Sequence, residues 1–289
     1  MLFRSFNHFA PVWLAAAVLG LGLALAAPRT ARPVLMTLAA LAAVVSALQI
    51  VPEVMSRGRD PRAAPDSAGQ LRIVQFNAWG ENAKTAEAVG WILAQNADVV
   101  VLQEPGAVKA ALVARGYSAQ CDRCGAVILS RRPAVRRFAQ PPSGDLPGFI
   151  AWAMFDDPGG QYTVVAVHRY WPVRVARSKA QTETLNSVIE GLPRSRLIVA
   201  GDFNSTPWSF ARRREDRDWG LVRRTRALFT WPAARLSHNR LPAPFPWLPI
   251  DHVYAGDGWA TVSVARGPEI GSDHYPVVVT LAPRTSSRR

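Results

Sequence analysis

Six places in the chain set a residue able to do chemistry at the end of an apolar run: Asn77, Glu104, His168, Asp202 with Asn204, Asp251, and Asp273 with His274. Chance places one or two polar residues in this way. Six imply strand ends that converge on one site. Glu104 and Asp273 are hard oxygen donors, matched to Mg²⁺ or Mn²⁺ rather than to zinc. His168 and His274 supply a proton donor and acceptor, or a charged clamp. The amides of Asn77 and Asn204 can hold phosphoryl oxygens or orient a carboxylate. No Ser or Cys stands beside a base in a recognisable nucleophile turn. Water is therefore the expected nucleophile, activated by metal and carboxylate.

The stretch 197–207 is central to this set. Four apolar residues, Leu197 to Ala200, read as a buried strand that stops at Gly201. Asp202 and Asn204 follow, two apart, and on an extended chain such residues point the same way. Taken alone, an Asp and an Asn two apart also describe an ordinary turn. Their weight comes from the other strand ends.

Those ends need a scaffold of strands and helices. Alternation or buried apolar runs predict strands at 71–76, 98–102, 125–129, 150–155, 162–167, 250–255, 260–265 and 277–281. Helical spacing predicts helices at 84–95, 108–114 and 176–192, the last with Thr184, Leu185, Val188 and Ile189 inward. Strands interspersed with helices predict an α/β domain, and 289 residues allow one large domain or two small ones. Residues 207–248 are irregular and rich in Trp, Arg and Pro.

The net charge of +13 favours polyanions: nucleic acid, anionic headgroups or phosphorylated substrates. It does not choose among them, and an Arg-rich composition without any such partner fits equally. Cys121 and Cys124 are the two cysteines, and one pair cannot build a four-thiolate zinc site. The strand expected after Cys124 excludes a thioredoxin-like helix. A small disulfide or two free thiols remain.

Residues 11–27 and 34–51 carry no charge and are separated by a turn holding Arg29 and Arg32. Each approaches the ~20 residues that cross a bilayer, so residues 1–51 read as a transmembrane helical hairpin. A cleaved signal peptide would explain the first run but not the second. Buried soluble helices are the third reading. Two spans place the N-terminus and the large domain on one side. The flanking Arg4, Arg57, Arg59 and Arg62, weighed against the turn arginines, do not say which side. Residues 52–70 read as a linker with little to bury, 71–283 as the catalytic domain, and 284–289 as a disordered tail.

The motifs Phe76-Asn77-Ala78-Trp79, Leu102-Gln103-Glu104, Val167-His168, Gly201-Asp202-Phe203-Asn204, Ile250-Asp251-His252 and Gly271-Ser272-Asp273-His274-Tyr275-Pro276 closely resemble those of the endonuclease/exonuclease/phosphatase superfamily, in the same order. The resemblance implies a four-layer αββα sandwich of the deoxyribonuclease I type, with the site at one edge of two facing sheets. It implies Glu104 as the main metal ligand, with Asn77 nearby and Asp273 at the metal side. It implies Asp202 as the group that orients and deprotonates water, and Asn204 and His168 on phosphate oxygens. His274 would stabilise or protonate the phosphoryl centre, with Asp251 fixing its ring. His252 is expected to be structural.

The hairpin adds a likeness to bacterial membrane-bound members of that superfamily. Some of these dephosphorylate lipid-carrier diphosphates outside the cytoplasm, usually behind three spans rather than two. On that likeness the protein sits in the inner membrane, with a periplasmic catalytic domain. Its substrate is then a membrane-proximal phosphate ester or diphosphate. The alternatives are an anchored nuclease acting on DNA or RNA, and a non-catalytic binding protein on the same fold. In the segment 207–248, Trp208, Trp219, Trp231 and Trp247 lie among Arg212, Arg213, Arg214, Arg223, Arg224 and Arg226. They are expected to stack bases and clamp phosphates, to grip lipid headgroups, or simply to pack on the sandwich.

Overall fold

The computed structural model describes residues 6–121, 124–141, 148–234 and 242–284. Two six-stranded sheets form most of it. The first contains β1 (Leu71–Asn77), β2 (Val99–Gln103), β3 (Ser118–Ala119), β4 (Ala126–Ser130), β11 (Trp259–Arg266) and β12 (Val277–Pro283), in the order β11-β12-β1-β2-β4-β3. The second contains β5 (Arg136–Ala139), β6 (Ile150–Asp157), β7 (Gly160–His168), β8 (Leu197–Asp202), β9 (Val222–Arg223) and β10 (Asp251–Ala255), in the order β5-β6-β7-β8-β10-β9.

Side chains alternate across each strand, which assigns every residue a layer. Ile73, Val99, Val101, Val164, Ala166, Ile198 and Ala200 point between the sheets. Val74, Phe76, Val100 and Leu102 point out of the first sheet and are covered by α3 (Thr85–Ala94) and α4 (Gly106–Val113). Val165, Val167 and Val199 point out of the second and are covered by α5 (Val175–Glu190) through Leu185 and Ile189. On α5 the inward face is Gln181, Leu185 and Ile189, whereas Thr184 is exposed. Gln181, four residues before Leu185, shares that face, and its amide oxygen accepts from the Tyr170 N–H at 2.8 Å.

The strand directions explain why the site lies at one edge. β1 and β2 are parallel, as are β7 and β8, so Asn77 pairs beside Gln103, and His168 beside Asp202. β10 runs antiparallel to β8 with Asp251 opposite Asp202, so its first residue lies where β8 ends. β12 runs antiparallel to β1 with Val277 opposite Gln75, which brings the preceding residues 272–276 to that edge. Gly201 permits the tight pairing, because a Cβ there would stand 1.9 Å from the Val167 carbonyl oxygen.

Two helices, α1 (Ala10–Leu25) and α2 (Arg32–Met55), form an N-terminal hairpin beside the sandwich. Both are long and apolar enough to cross a membrane, with mean hydropathies of 1.8 and 2.4 over their apolar stretches. The second apolar run continues as helix past residue 51, through Glu53. The expected linker is therefore partly structured. Glu53 is buried against Arg223 and Arg226, and Thr261 hydrogen-bonds with the backbones of Pro61 and Ala63. Charge pairing gives these polar residues something to bury that hydrophobic patterning could not register. Arg284 still bonds backbone to backbone with Gly258, while residues 285–289 of the expected tail lie outside the described residues. Cys121 and Cys124 are joined by a disulfide.

The irregular segment acquires a short helix, α6 (Phe210–Asp218), and the edge strand β9. Residues 235–241 within it lie outside the described residues. Trp208, Trp219, Arg212, Arg223 and Arg224 are buried. Arg212 packs between Phe203 and Trp219 and pairs with Glu215, and Arg224 donates to the carbonyls of Gly256 and Trp259. These side chains hold the segment on the sandwich, so they are not available to clamp a strand of nucleic acid.

Candidate active site

All the residues singled out at strand ends meet at the shared edge, though not as one cluster. Asn77, at the end of β1, is the hub. Its Nδ2 donates to Glu104 Oε1 at 3.2 Å and to Asp202 Oδ2 at 3.1 Å. Its Oδ1 accepts from the Trp79 N–H, and its carbonyl accepts from the Ser272 hydroxyl at 2.6 Å. One amide thus draws together carboxylates from both sheets.

Glu104 follows β2 in the left-handed region, φ 46°, uncommon for a residue with a side chain. Its amide is tied to the Gly125 carbonyl. Its side chain is 40% exposed, whereas those of Asp202 and Asp251 are buried. His168 Nε2 lies 3.7 Å from Glu104 Oε1 and 3.8 Å from Asp202 Oδ2. Burial lowers the pKa of this ring, against the pull of Glu104.

Asp202 is buried and completely enclosed by donors. Oδ1 accepts from the Asn204 N–H at 2.8 Å, and Oδ2 receives the amides of Asn77 and Asn204. Asn204 also sits in the left-handed region, φ 48°, which an Asn adopts readily, and donates to the Arg169 carbonyl at 2.8 Å. Loss of solvation pushes the Asp202 carboxyl up to about 7, with the Asp251 charge adding to the shift and His274, Asn204 and Asn77 opposing it.

Asp251 accepts three hydrogen bonds in the buried interior: from Gln75 Nε2 at 2.8 Å, from the Thr230 hydroxyl at 2.6 Å and from His274 Nδ1 at 2.8 Å. The last bond fixes the ring of His274 and leaves Nε2 facing Asp202 Oδ2 at 3.7 Å. Burial alone would lower the His274 pKa. The carboxylates of Asp251 and Asp202 outweigh it and hold it at about 10, so the ring is an imidazolium at neutral pH. Asp202, Asp251 and His274 place ligand atoms within 4.8 Å of one another. The Asp251 oxygens are already engaged by Gln75, Thr230 and His274.

The structure separates Asp273 from Asn77 and Glu104 in its contacts. Asp273 Oδ2 accepts from Trp231 Nε1 at 3.1 Å, and its charge contributes to raising His274. His252 points away from the site, donating through Nε2 to the Ser205 carbonyl at 3.0 Å beside Phe203 and Tyr254. Four residues emerge that sequence reasoning did not single out. Gln75 links Gln103 and Asp251, Thr230 caps Asp251, Ser272 ties Asn77 to the His274 N–H, and Arg169 presents its carbonyl to Asn204. Gln75 and Gln103 carried a signal, being amides inside apolar strands. Thr230 carried none.

Two sheets with parallel strand pairs at their centres bring this set of acids, amides and imidazoles to one shared edge. The endonuclease/exonuclease/phosphatase family model matches residues 74–274, and the chain belongs to that family, whose members hydrolyse phosphoester bonds. Among solved structures, an endonuclease/exonuclease/phosphatase from Beutenbergia cavernae is 22% identical, with 74% of this chain and 72% of that one covered and a TM-score of 0.55. The human Nocturnin catalytic domain with bound sulfate is 16% identical, with 77% and 96% covered and a TM-score of 0.56. A humanized zebrafish (D. rerio) TDP2 is 17% identical, with 73% and 99% covered and a TM-score of 0.56. Likeness at these identities speaks for the fold. No curated protein sequence matches the chain significantly.

Proposed function

We propose that the protein is a membrane-anchored, divalent-metal-dependent phosphoesterase that hydrolyses a membrane-proximal phosphate ester or diphosphate by attack of water. The observation that carries the chemistry is the line Asp251–His274–Asp202: His274 Nδ1 bonds Asp251 Oδ2 at 2.8 Å, and its Nε2 faces Asp202 Oδ2 at 3.7 Å, with burial raising the pKa of Asp202 and the two carboxylates raising that of His274. Asp202 is poised to take a proton from water at neutral pH and His274 to neutralise charge building on phosphorus.

The donor set suits Mg²⁺ or Mn²⁺. Glu104 offers a half-open carboxylate whose Oε1 is held by Asn77 Nδ2 at 3.2 Å, a hard oxygen donor within reach of an ion from solution. Glu104 would be the main ligand, with Asn77 beside it and Asp273 towards that side. A divalent ion held there would draw charge from the phosphoryl oxygens and ease ionisation of water. Asp202 orients the attacking water and accepts its proton. Asn204 and His168 bind phosphoryl oxygens. Asp251 keeps the His274 ring in place, and its Nε2–H is offered to the transition state or the leaving oxygen.

The hairpin and a run of ring contacts support a place of action at the membrane. Trp231, which donates to Asp273, meets Trp171 at 5.7 Å and Trp247 at 5.5 Å between centroids, and Trp247 meets Phe9 at 5.9 Å, next to the start of α1. An apolar path thus joins the site to the foot of the hairpin. Phe245, two residues before Trp247 in the chain, is 64% exposed. Aromatic side chains of this kind favour the membrane interface. The Cys121–Cys124 bridge supports an oxidising, extracytoplasmic compartment, with the hairpin in the inner membrane.

The deciding experiment measures phosphate release by detergent-purified full-length protein with Mg²⁺, from a polyprenyl diphosphate against single- and double-stranded DNA. Release from the lipid that disappears in Glu104→Ala establishes the proposal. Cleavage of DNA without lipid turnover replaces it with an anchored nuclease.

A further inference from the structure

The hairpin touches the site's own loop. His8, in the single turn Asn7–Phe9 that leads into α1, is 5% exposed although most of the large apolar side chains of the hairpin are exposed. Its Nδ1 accepts the Thr206 N–H at 3.1 Å and lies 3.0 Å from the Thr206 hydroxyl, and its carbonyl accepts from Trp208 Nε1 at 3.2 Å. Thr206 is two residues beyond Asn204 and four beyond Asp202. It is fully buried, so without His8 its N–H would lack a partner away from water. The rest of this loop is pinned equally closely. His252 holds the Ser205 carbonyl, and Ser209 bonds the Ser205 hydroxyl and caps α6.

The far end of the hairpin is fastened as well. Glu53 accepts from Arg223 at 2.6 and 2.9 Å, from Arg226 at 3.2 Å and from the Ala227 N–H at 2.9 Å. Arg223 lies in β9, which pairs with β10, the strand that begins at Asp251. Arg213 adds a bond to the Gln49 carbonyl of α2. One end of the hairpin therefore grips the loop that follows Asp202 and Asn204, and the other grips β9, which pairs with Tyr254 and Ala255 of the strand that begins at Asp251.

We propose that His8 is a positioning residue for catalysis: the docked hairpin holds the 203–208 loop, and with it Asp202 and Asn204, in working geometry. The hairpin is then part of the active site's framework as well as an address. Glu53 keeps it seated. The inference does not depend on which phosphoester is the substrate.

The test uses full-length protein in detergent with Mg²⁺ and the soluble diester bis(p-nitrophenyl) phosphate, so that membrane delivery of substrate plays no part. In His8→Ala, kcat falls ~10- to 100-fold, the scale of a small misplacement of reacting groups, while KM stays within about twofold. In His8→Asn, whose Oδ1 can accept the Thr206 N–H where Nδ1 did, kcat returns to within about threefold of wild type. Amide hydrogen exchange across 203–208 is fast in His8→Ala and protected in wild type and His8→Asn. Wild-type kcat together with wild-type protection in His8→Ala overturns the proposal, as does loss of kcat that His8→Asn fails to restore. If wild type hydrolyses neither this diester nor any other phosphoester tried, the functional reading fails, and the exchange measurement alone decides the role of His8.

Discussion

The two sheets meet at one edge but bring different chemistry to it. The first contributes Asn77 and the half-open Glu104. The second contributes Asp202 and Asp251, both buried, and the more enclosed His168. Openness suits a group that must meet an ion from solution. Enclosure suits groups whose proton affinity must be moved, because desolvation is what drives Asp202 upward. Neither sheet is competent alone. Asn77 reaches across to Asp202, Gln75 reaches across to Asp251, and His274, leading into β12 of the first sheet, bonds Asp251 of the second. The site is a property of how the sheets are juxtaposed.

The most severe way to break that division is to remove the proton-handling side. Asp202→Ala and His274→Ala are each expected to lower kcat by ~10²- to 10⁴-fold with circular dichroism unchanged, the usual range for a general acid or base. Near-wild-type turnover in either purified variant would sink the assignment. On the other sheet, Glu104→Ala should abolish metal-dependent turnover. Chelation of the wild-type protein should do the same, reversed by Mg²⁺ or Mn²⁺, and turnover that survives exhaustive chelation would contradict the hard-oxygen reading.

A subtler probe is the proton on His274. In metal-free protein its ring should stay protonated through neutral pH and titrate near pH 10 by NMR. Because the folded value is raised, the stabilisation it contributes is complete below the unfolded value of about 6.5 and is lost as pH rises through about 10. Asp251→Asn should bring the titration down towards or below neutrality, and a ring still titrating near 10 would mean that another group holds the proton. The smallest effect is expected at the crossing amide. Gln75→Leu leaves Asp251 with two of its three donors, at a cost of ~1–3 kcal/mol in unfolding free energy, read from a denaturant midpoint.

Much of the scaffold could be read from residue order. Period-two alternation placed β1, and the apolar runs before Gln103 and Gly201 placed β2 and β8, since burial on both faces leaves few other ways to arrange Val, Ile and Leu. Short strands such as β3, β5 and β9 escaped because two to four residues carry no periodicity. The Trp/Arg segment could be read as a grip on bases or headgroups or as packing on the sandwich. Arg212, Arg223 and Arg224 turned inward because Glu53, Glu215, aromatic faces and backbone carbonyls from distant parts of the chain receive them. No local pattern announces such partners.

The types of the site residues and their places beside strand ends are written in the order of amino acids, because a strand's boundary is local information; Asp251 opens β10, and Asp273 with His274 precede β12, rather than following a strand as expected, because those two strands run antiparallel to β8 and β1. The assembly of those ends is not local. Whether Asn77 faces Asp202, whether Asp251 receives three donors, and whether His8 meets Thr206 depend on contacts spanning from 21 to 198 residues of chain. Such contacts form only when parallel pairing and the packing of two sheets close them together. Burial, and with it the proton affinities of Asp202 and His274, comes into being at that same step.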